Sequence, residues 1–181
     1  MIWIFGDSFS TNDTRISWTR QLGSSTIKVS FNGISEYRIL QSIKVSIEHI
    51  QPSDTVIICH TNPYRVYIPD HIPYPARNHC AHAFCDLVIS DSMNRNFMWR
   101  LISKVYFKYF FDEEHSTELN NLIIEKQIMI LGQKSVKVIE ISGFNGMPNS
   151  FHDVFVNNPG KINHMNCKGN ELVANRIREL L

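Results

Sequence analysis

The sequence is short of the features that classify a protein quickly. No apolar run approaches the ~20 residues that span a bilayer. No charged leader precedes the apolar stretch at Met1–Phe5, so no secretory signal peptide is read and a cytoplasmic location is expected. Neither sign of charge dominates: 18 basic residues face 17 acidic ones for a net charge of +1. Without a basic run, neither a nucleic-acid partner nor a membrane surface is expected. The four cysteines, Cys59, Cys80, Cys85 and Cys167, are too scattered for a disulfide framework and are expected to be free thiols. Only His79-Cys80-Ala81-His82-Ala83-Phe84-Cys85 gathers metal-ligating types. It fits no standard finger spacing and has no second ligand pair nearby, so it reads as a loop-to-helix segment with buried thiols, and no metal is expected. Gly-x-Gly-x-x-Gly and Gly-Lys-Ser/Thr are both absent, which argues against a nucleotide or phosphate binder. There is no internal repeat, linker or low-complexity segment.

What is present is the composition of an ordinary globular domain. The chain has 181 residues, 43% hydrophobic and 19% charged, enough for a single domain (1–181) that buries roughly 70% of its unfolded surface. Met1-Ile-Trp-Ile-Phe5 is a short apolar run that stops at Gly6-Asp7-Ser8, the pattern of a buried strand entering a tight turn. A weak amphipathic helix over 13–22 follows, then a β-branched strand at 26–31 and the turn Asn32-Gly33. Ser35 is expected to N-cap a helix reaching about Ile50, with Ile39, Leu40, Ile43 and Ile47 at helical spacing. Pro52-Ser53-Asp54 breaks it before Thr55-Val-Ile-Ile-Cys59, apolar throughout, as in a strand covered on both faces. Alternating strands and helices indicate a parallel α/β sheet.

Residues 60–79 hold four of the seven prolines and read as loop. A helical insertion of two helices, 82–110 and 113–131, follows; its aromatic stripe is expected to serve packing. A strand at 135–141, a loop with a short strand at 151–156, and a terminal helix from Cys167 or Lys168 complete the chain.

In such a sheet, chemistry gathers at the carboxyl ends of the strands. Ser8 follows the first strand, Gly33 the second and Asn62 the third, while His164 precedes the last helix. A serine hydroxyl needs a neighbouring base to become a nucleophile, and histidine is the usual one at neutral pH. The oxyanion that forms needs preorganised donors, which the Ser8 and Gly33 N–H groups and the Asn62 amide can supply. Each element has an ordinary alternative: Gly6-Asp7-Ser8 is also what a capped β-to-α turn looks like.

Taken in order, these segments resemble the SGNH hydrolase family of GDSL-like esterases. Gly6-Asp7-Ser8 resembles its first block, Phe31-Asn32-Gly33-Ile34-Ser35 its second, Cys59-His60-Thr61-Asn62 its third, and His164-Met-Asn166-Cys-Lys-Gly169-Asn170 its last. The resemblance implies a flavodoxin-like three-layer α/β/α sandwich with a mostly parallel sheet, no cofactor, and a small ester or acetylated carbohydrate as substrate. Ser8 would be the nucleophile, His164 the base, and Gly33 and Asn62 oxyanion donors. Thr61-Asn-Pro-Tyr-Arg65 resembles a Thr-x-x-x-Arg variant of phage-encoded relatives, which makes virion association an alternative location.

Three positions depart from the family pattern. The third block has His60 for its leading glycine and Pro63 for its following aspartate. The last block has Lys161 where an aspartate usually orients the histidine; losing that group without replacement costs on the order of 10⁴ in turnover. Asp153, the nearest upstream carboxylate, is the candidate orienting acid. Asp7, Thr61 and Arg65 are candidate substrate-binding residues. The alternative reading keeps the fold and loses the catalysis, leaving a structural or carbohydrate-binding protein.

Overall fold

The computed structural model describes residues 1–11, 17–69, 86–87, 97–144, 146–147, 149–160 and 165–181. Four strands, β1 (Ile2–Gly6), β2 (Thr26–Ser30), β3 (Thr55–His60) and β4 (Lys137–Ser142), form one parallel sheet in the order β2-β1-β3-β4. The helices are α1 (Trp18–Gln21), α2 (Glu36–Ser46), α3 (Phe97–Tyr109), α4 (Glu113–Gly132), α5 (His152–Asn157) and α6 (Cys167–Leu180). Among the described residues no helix is long and apolar enough to cross a membrane.

The two-residue period of β1 explains the layers. Trp3 and Phe5 point to one face, where they join Ile39 and Ile43 of α2, Val56 and Ile58 of β3, and Leu131 of α4. Ile4 points to the other, against Trp18 of α1, Val154 of α5, and Val173, Ala174 and Ile177 of α6. With helices on both faces, β1 and β3 carry apolar residues at successive positions, as a doubly covered parallel sheet requires. This is the α/β fold that the alternation of strands and helices implies.

Several boundaries differ from the sequence reading. The stretch 151–156 was expected as a strand and is the helix α5. Phe151 and Val154 are both buried, and their three-residue spacing satisfies one helical face. The helix expected over 82–110 is described only from Phe97. At Asp86–Leu87 the chain is extended, with Leu87 bridged antiparallel to Val66. The reason is tertiary: buried Asp86 accepts from the Ser35 and Ile68 N–H groups and from Arg38 Nε. Ser35 stands at the N-cap of α2, but its hydroxyl makes no cap bond. Residues 13–16 of the helix expected over 13–22 and the His79–Cys85 segment lie outside the described residues. The aromatic stripe is divided. Tyr106, Phe107 and Phe111 pack together, whereas Phe97, Tyr109 and Phe110 are exposed.

One strand end is unusually tight. A Cβ on Gly6 would lie 2.4 Å from Ser10 Oγ, 2.6 Å from the Cys59 carbonyl oxygen and 2.7 Å from Cys59 Cβ. On the far edge strand, the outer rim of β4 is occupied by its own loop: Asn149 Nδ2 donates to the Glu140 carbonyl, and Ser150 bridges Ser142. Because the Gly6 contacts include backbone, Gly6→Ala should destabilise the protein by about 1–3 kcal/mol. Urea unfolding of the two proteins measures it, and an unchanged midpoint would refute the close-packing account.

Candidate active site

Register places the pieces. Gly6 pairs with Ser30 of β2 and Cys59 of β3, so the turn carrying Ser8 leaves β1 between the chains leading to Gly33 and Asn62. The turn is held by its own backbone, with the Ser10 and Thr11 N–H groups both donating to the Asp7 carbonyl. Phe9 anchors it by edge contacts with Phe144, Phe151 and Phe155. Ser8 itself is half-buried, and among the described residues its hydroxyl has no hydrogen-bond partner.

Gly33 has φ +72°, a left-handed conformation that favours glycine. Its carbonyl accepts from the Asp86 N–H at 2.8 Å and from Arg65 Nη1 at 3.0 Å. Asn62 accepts the Tyr64 N–H at 2.8 Å. An N–H can face only the oxygen of an amide, so this turn settles which end is which and leaves the Asn62 NH₂ as donor.

Of the three candidate substrate-binding side chains, Asp7 and Thr61 are buried, and half-buried Arg65 is held by backbone carbonyls. Asp7 is 1% exposed; one oxygen accepts the Phe9 N–H and the other the Thr61 hydroxyl. Burial pushes its carboxyl up to about 6, against the pull of Arg65, the Phe9 N–H and Thr61. Thr61 is fully buried, its N–H donated to Glu36. Arg65 spans from Gly33 to the Asp86 carbonyl. These residues brace the donor loops against each other. Asp153, the candidate orienting acid, lies on α5 with both oxygens paired to Arg176 at 2.9 and 2.6 Å. That pairing holds its carboxyl down at about 2.

His164 and Lys161 lie outside the described residues. The residue after His164 is tied to the residue after Ser8 by a chain of hydrogen bonds. Trp18 donates its indole N–H to the Phe9 carbonyl at 2.7 Å and its backbone N–H to Asn170 Oδ1 at 3.0 Å. Asn170 Nδ2 in turn donates to the Met165 carbonyl at 3.1 Å. Asn166 caps α6 by accepting the Gly169 N–H. A Cβ on Gly169 would stand 2.9 Å from the side chains of Asn158 and Met165, so this glycine lets α6 approach.

Sequence reasoning missed the polar network beneath the site. His60 is fully buried, with Nδ1 3.0 Å from Glu36 and Nε2 3.2 Å from Glu140. Burial pulls the imidazole down, but the bonds to Glu140 and Glu36 outweigh it and hold it up at about 9, so His60 is a cation at neutral pH. Glu36 also accepts from the Thr61 N–H and from Gln127 of α4. Among the described residues no group of three or more His, Cys, Asp or Glu side chains could hold a metal ion. Comparison with protein-family models, curated proteins and solved structures finds no match.

The sign of the His60 shift sets a pH dependence. Its folded-state value lies above the ordinary 6.5, so the stabilisation is complete below pH 6.5 and fades as pH rises through about 9. The loss should be on the order of 3 kcal/mol. Asp7, pushed up to about 6, adds slope only at the lower edge of that window and is ionised in both states above about pH 7.5. Chemical unfolding between pH 6 and 10 should show the decline in wild type and a flatter profile in His60→Gln; parallel profiles would refute the charged assignment.

Proposed function

We propose that the chain is a serine hydrolase of the SGNH type that cleaves ester bonds. One observation carries this reading. Ser8 stands between Gly33 and Asn62 at the carboxyl edge of adjacent parallel strands, and the Phe9–Trp18–Asn170–Met165 chain ties that edge to the residue following His164. In the proposed reaction Ser8 Oγ attacks the acyl carbonyl carbon while His164 takes its proton. The charge forming on the carbonyl oxygen is met by the Ser8 and Gly33 N–H groups and the Asn62 amide. Collapse breaks the ester C–O bond, and the alcohol leaves with the proton from His164. Water then cleaves the acyl-serine by the same steps in reverse order of partners.

A second reading, a catalytically impaired structural or carbohydrate-binding protein, draws on Asp153. Its carboxylate is taken by Arg176, while Lys161 occupies the place of the usual acid. The two readings part on labelling by a fluorophosphonate and on hydrolysis of p-nitrophenyl acetate. The hydrolase reading expects both in wild type and neither in Ser8→Ala. Turnover should vanish in His164→Ala, and kcat should fall on the order of 10²–10³-fold in Asn62→Ala. No turnover together with no labelling of wild type refutes the hydrolase reading.

A further inference from the structure

A cavity of about 690 Å³ lies between the start of α2, residues 63–67 and the α3–α4 hairpin, well within the range of small-molecule sites. Tyr37, Val66, Phe110, Leu119 and Ile123 are among its walls. Its exposed lining is predominantly apolar, and three of its polar groups are committed inward. Glu36 serves His60, Thr61 and Gln127, Arg65 holds the Gly33 carbonyl, and Ser116 donates to the Pro63 carbonyl. Ser35, His115, Asn120 and Lys126 also line it, but against its predominantly apolar wall most hydroxyls of a sugar would lack partners, which is costly. An alkyl chain needs none.

The cavity also adjoins the proposed site. Arg65, which lines it, touches Gly33, and Pro63 follows Asn62 directly. The hairpin is fastened at that point: Ser116 binds Pro63, and Tyr64 bonds to Glu113 and packs on Phe111. We infer that this cavity receives the apolar acyl chain of the ester, so that the substrate class is a medium- or long-chain acyl ester and not an acetylated sugar. The inference rests on the hydrolase reading, and its test separates the two.

Acyl preference is measured as the ratio of kcat/KM for p-nitrophenyl octanoate to that for the acetate. Binding is measured separately, by calorimetric titration of dodecanoate into Ser8→Ala. Leu119 is 49% exposed, so Leu119→Trp fills the cavity from outside with little demand on the fold; Leu122→Trp, at 61% exposed, is its companion if Leu119→Trp misfolds. The wild-type ratio should exceed about 10, since even single methylenes discriminate this strongly in apolar pockets. Leu119→Trp should lower that ratio at least tenfold and weaken dodecanoate binding comparably. A flat chain-length profile in an active enzyme overturns the inference and leaves the hydrolase reading standing. Dodecanoate binding that Leu119→Trp removes, without hydrolysis of any ester, supports the alkyl-chain site and overturns the hydrolase reading. Neither binding nor hydrolysis overturns both.

Discussion

A buried imidazolium between two carboxylates organises the carboxyl edge of this sheet. His60 ends β3, Glu36 begins α2 and Glu140 lies in β4, so the three side chains join β3 to the covering helix and to the edge strand. Removing either member of the fully buried His60–Glu36 pair costs about 3–5 kcal/mol, because the other stays desolvated. The second Glu36 oxygen carries the effect onward by accepting the Thr61 N–H, and Thr61 in turn bonds Asp7. Asp7 belongs to the turn that presents Ser8, and Thr61 precedes Asn62. One charge cluster thus fixes the spacing of two strand ends on which the proposed chemistry depends.

The same cluster shows where one-dimensional reading ends. The strands were legible because a sheet covered on both faces demands contiguous apolar residues, and Met1–Phe5 and Val56–Cys59 supply them. α2 and α6 were legible from the spacing of their apolar residues. Partners 24, 80 and 91 residues apart leave no periodic trace, so Glu36 went unremarked and His60 read as a gap in a motif. Asp7 and Thr61 were recognised as special but assigned outward. Their polarity was visible in the sequence; their burial was not. The strand expected at 151–156 failed for a related reason, since six residues are too few to tell a two-residue period from a helical one when both faces carry apolar groups.

The helical hairpin gives the fold its individuality. A minimal parallel α/β sheet could join β3 to β4 with one helix; here α3 and α4 intervene, and only α4 contributes to the core beneath the sheet. The turn between them is fastened to residues immediately beyond Asn62. Whatever occupies the cavity therefore touches the loop that holds the proposed oxyanion donor, and motion of the hairpin is coupled mechanically to that loop. Stability and recognition meet on α4, which offers Gln127 to the buried charges and Leu119 and Ile123 to the cavity.

The loop folded along β4 bears on a different property. An edge strand with free N–H and C=O groups invites pairing with another chain, and natural sheets blunt such edges. Asn149 occupies the Glu140 carbonyl and Ser150 bridges Ser142, so the carboxyl half of β4 is closed to an incoming strand. Aggregation by sheet extension is disfavoured along that half, and crowding at high concentration should act first on the exposed apolar side chains of α3.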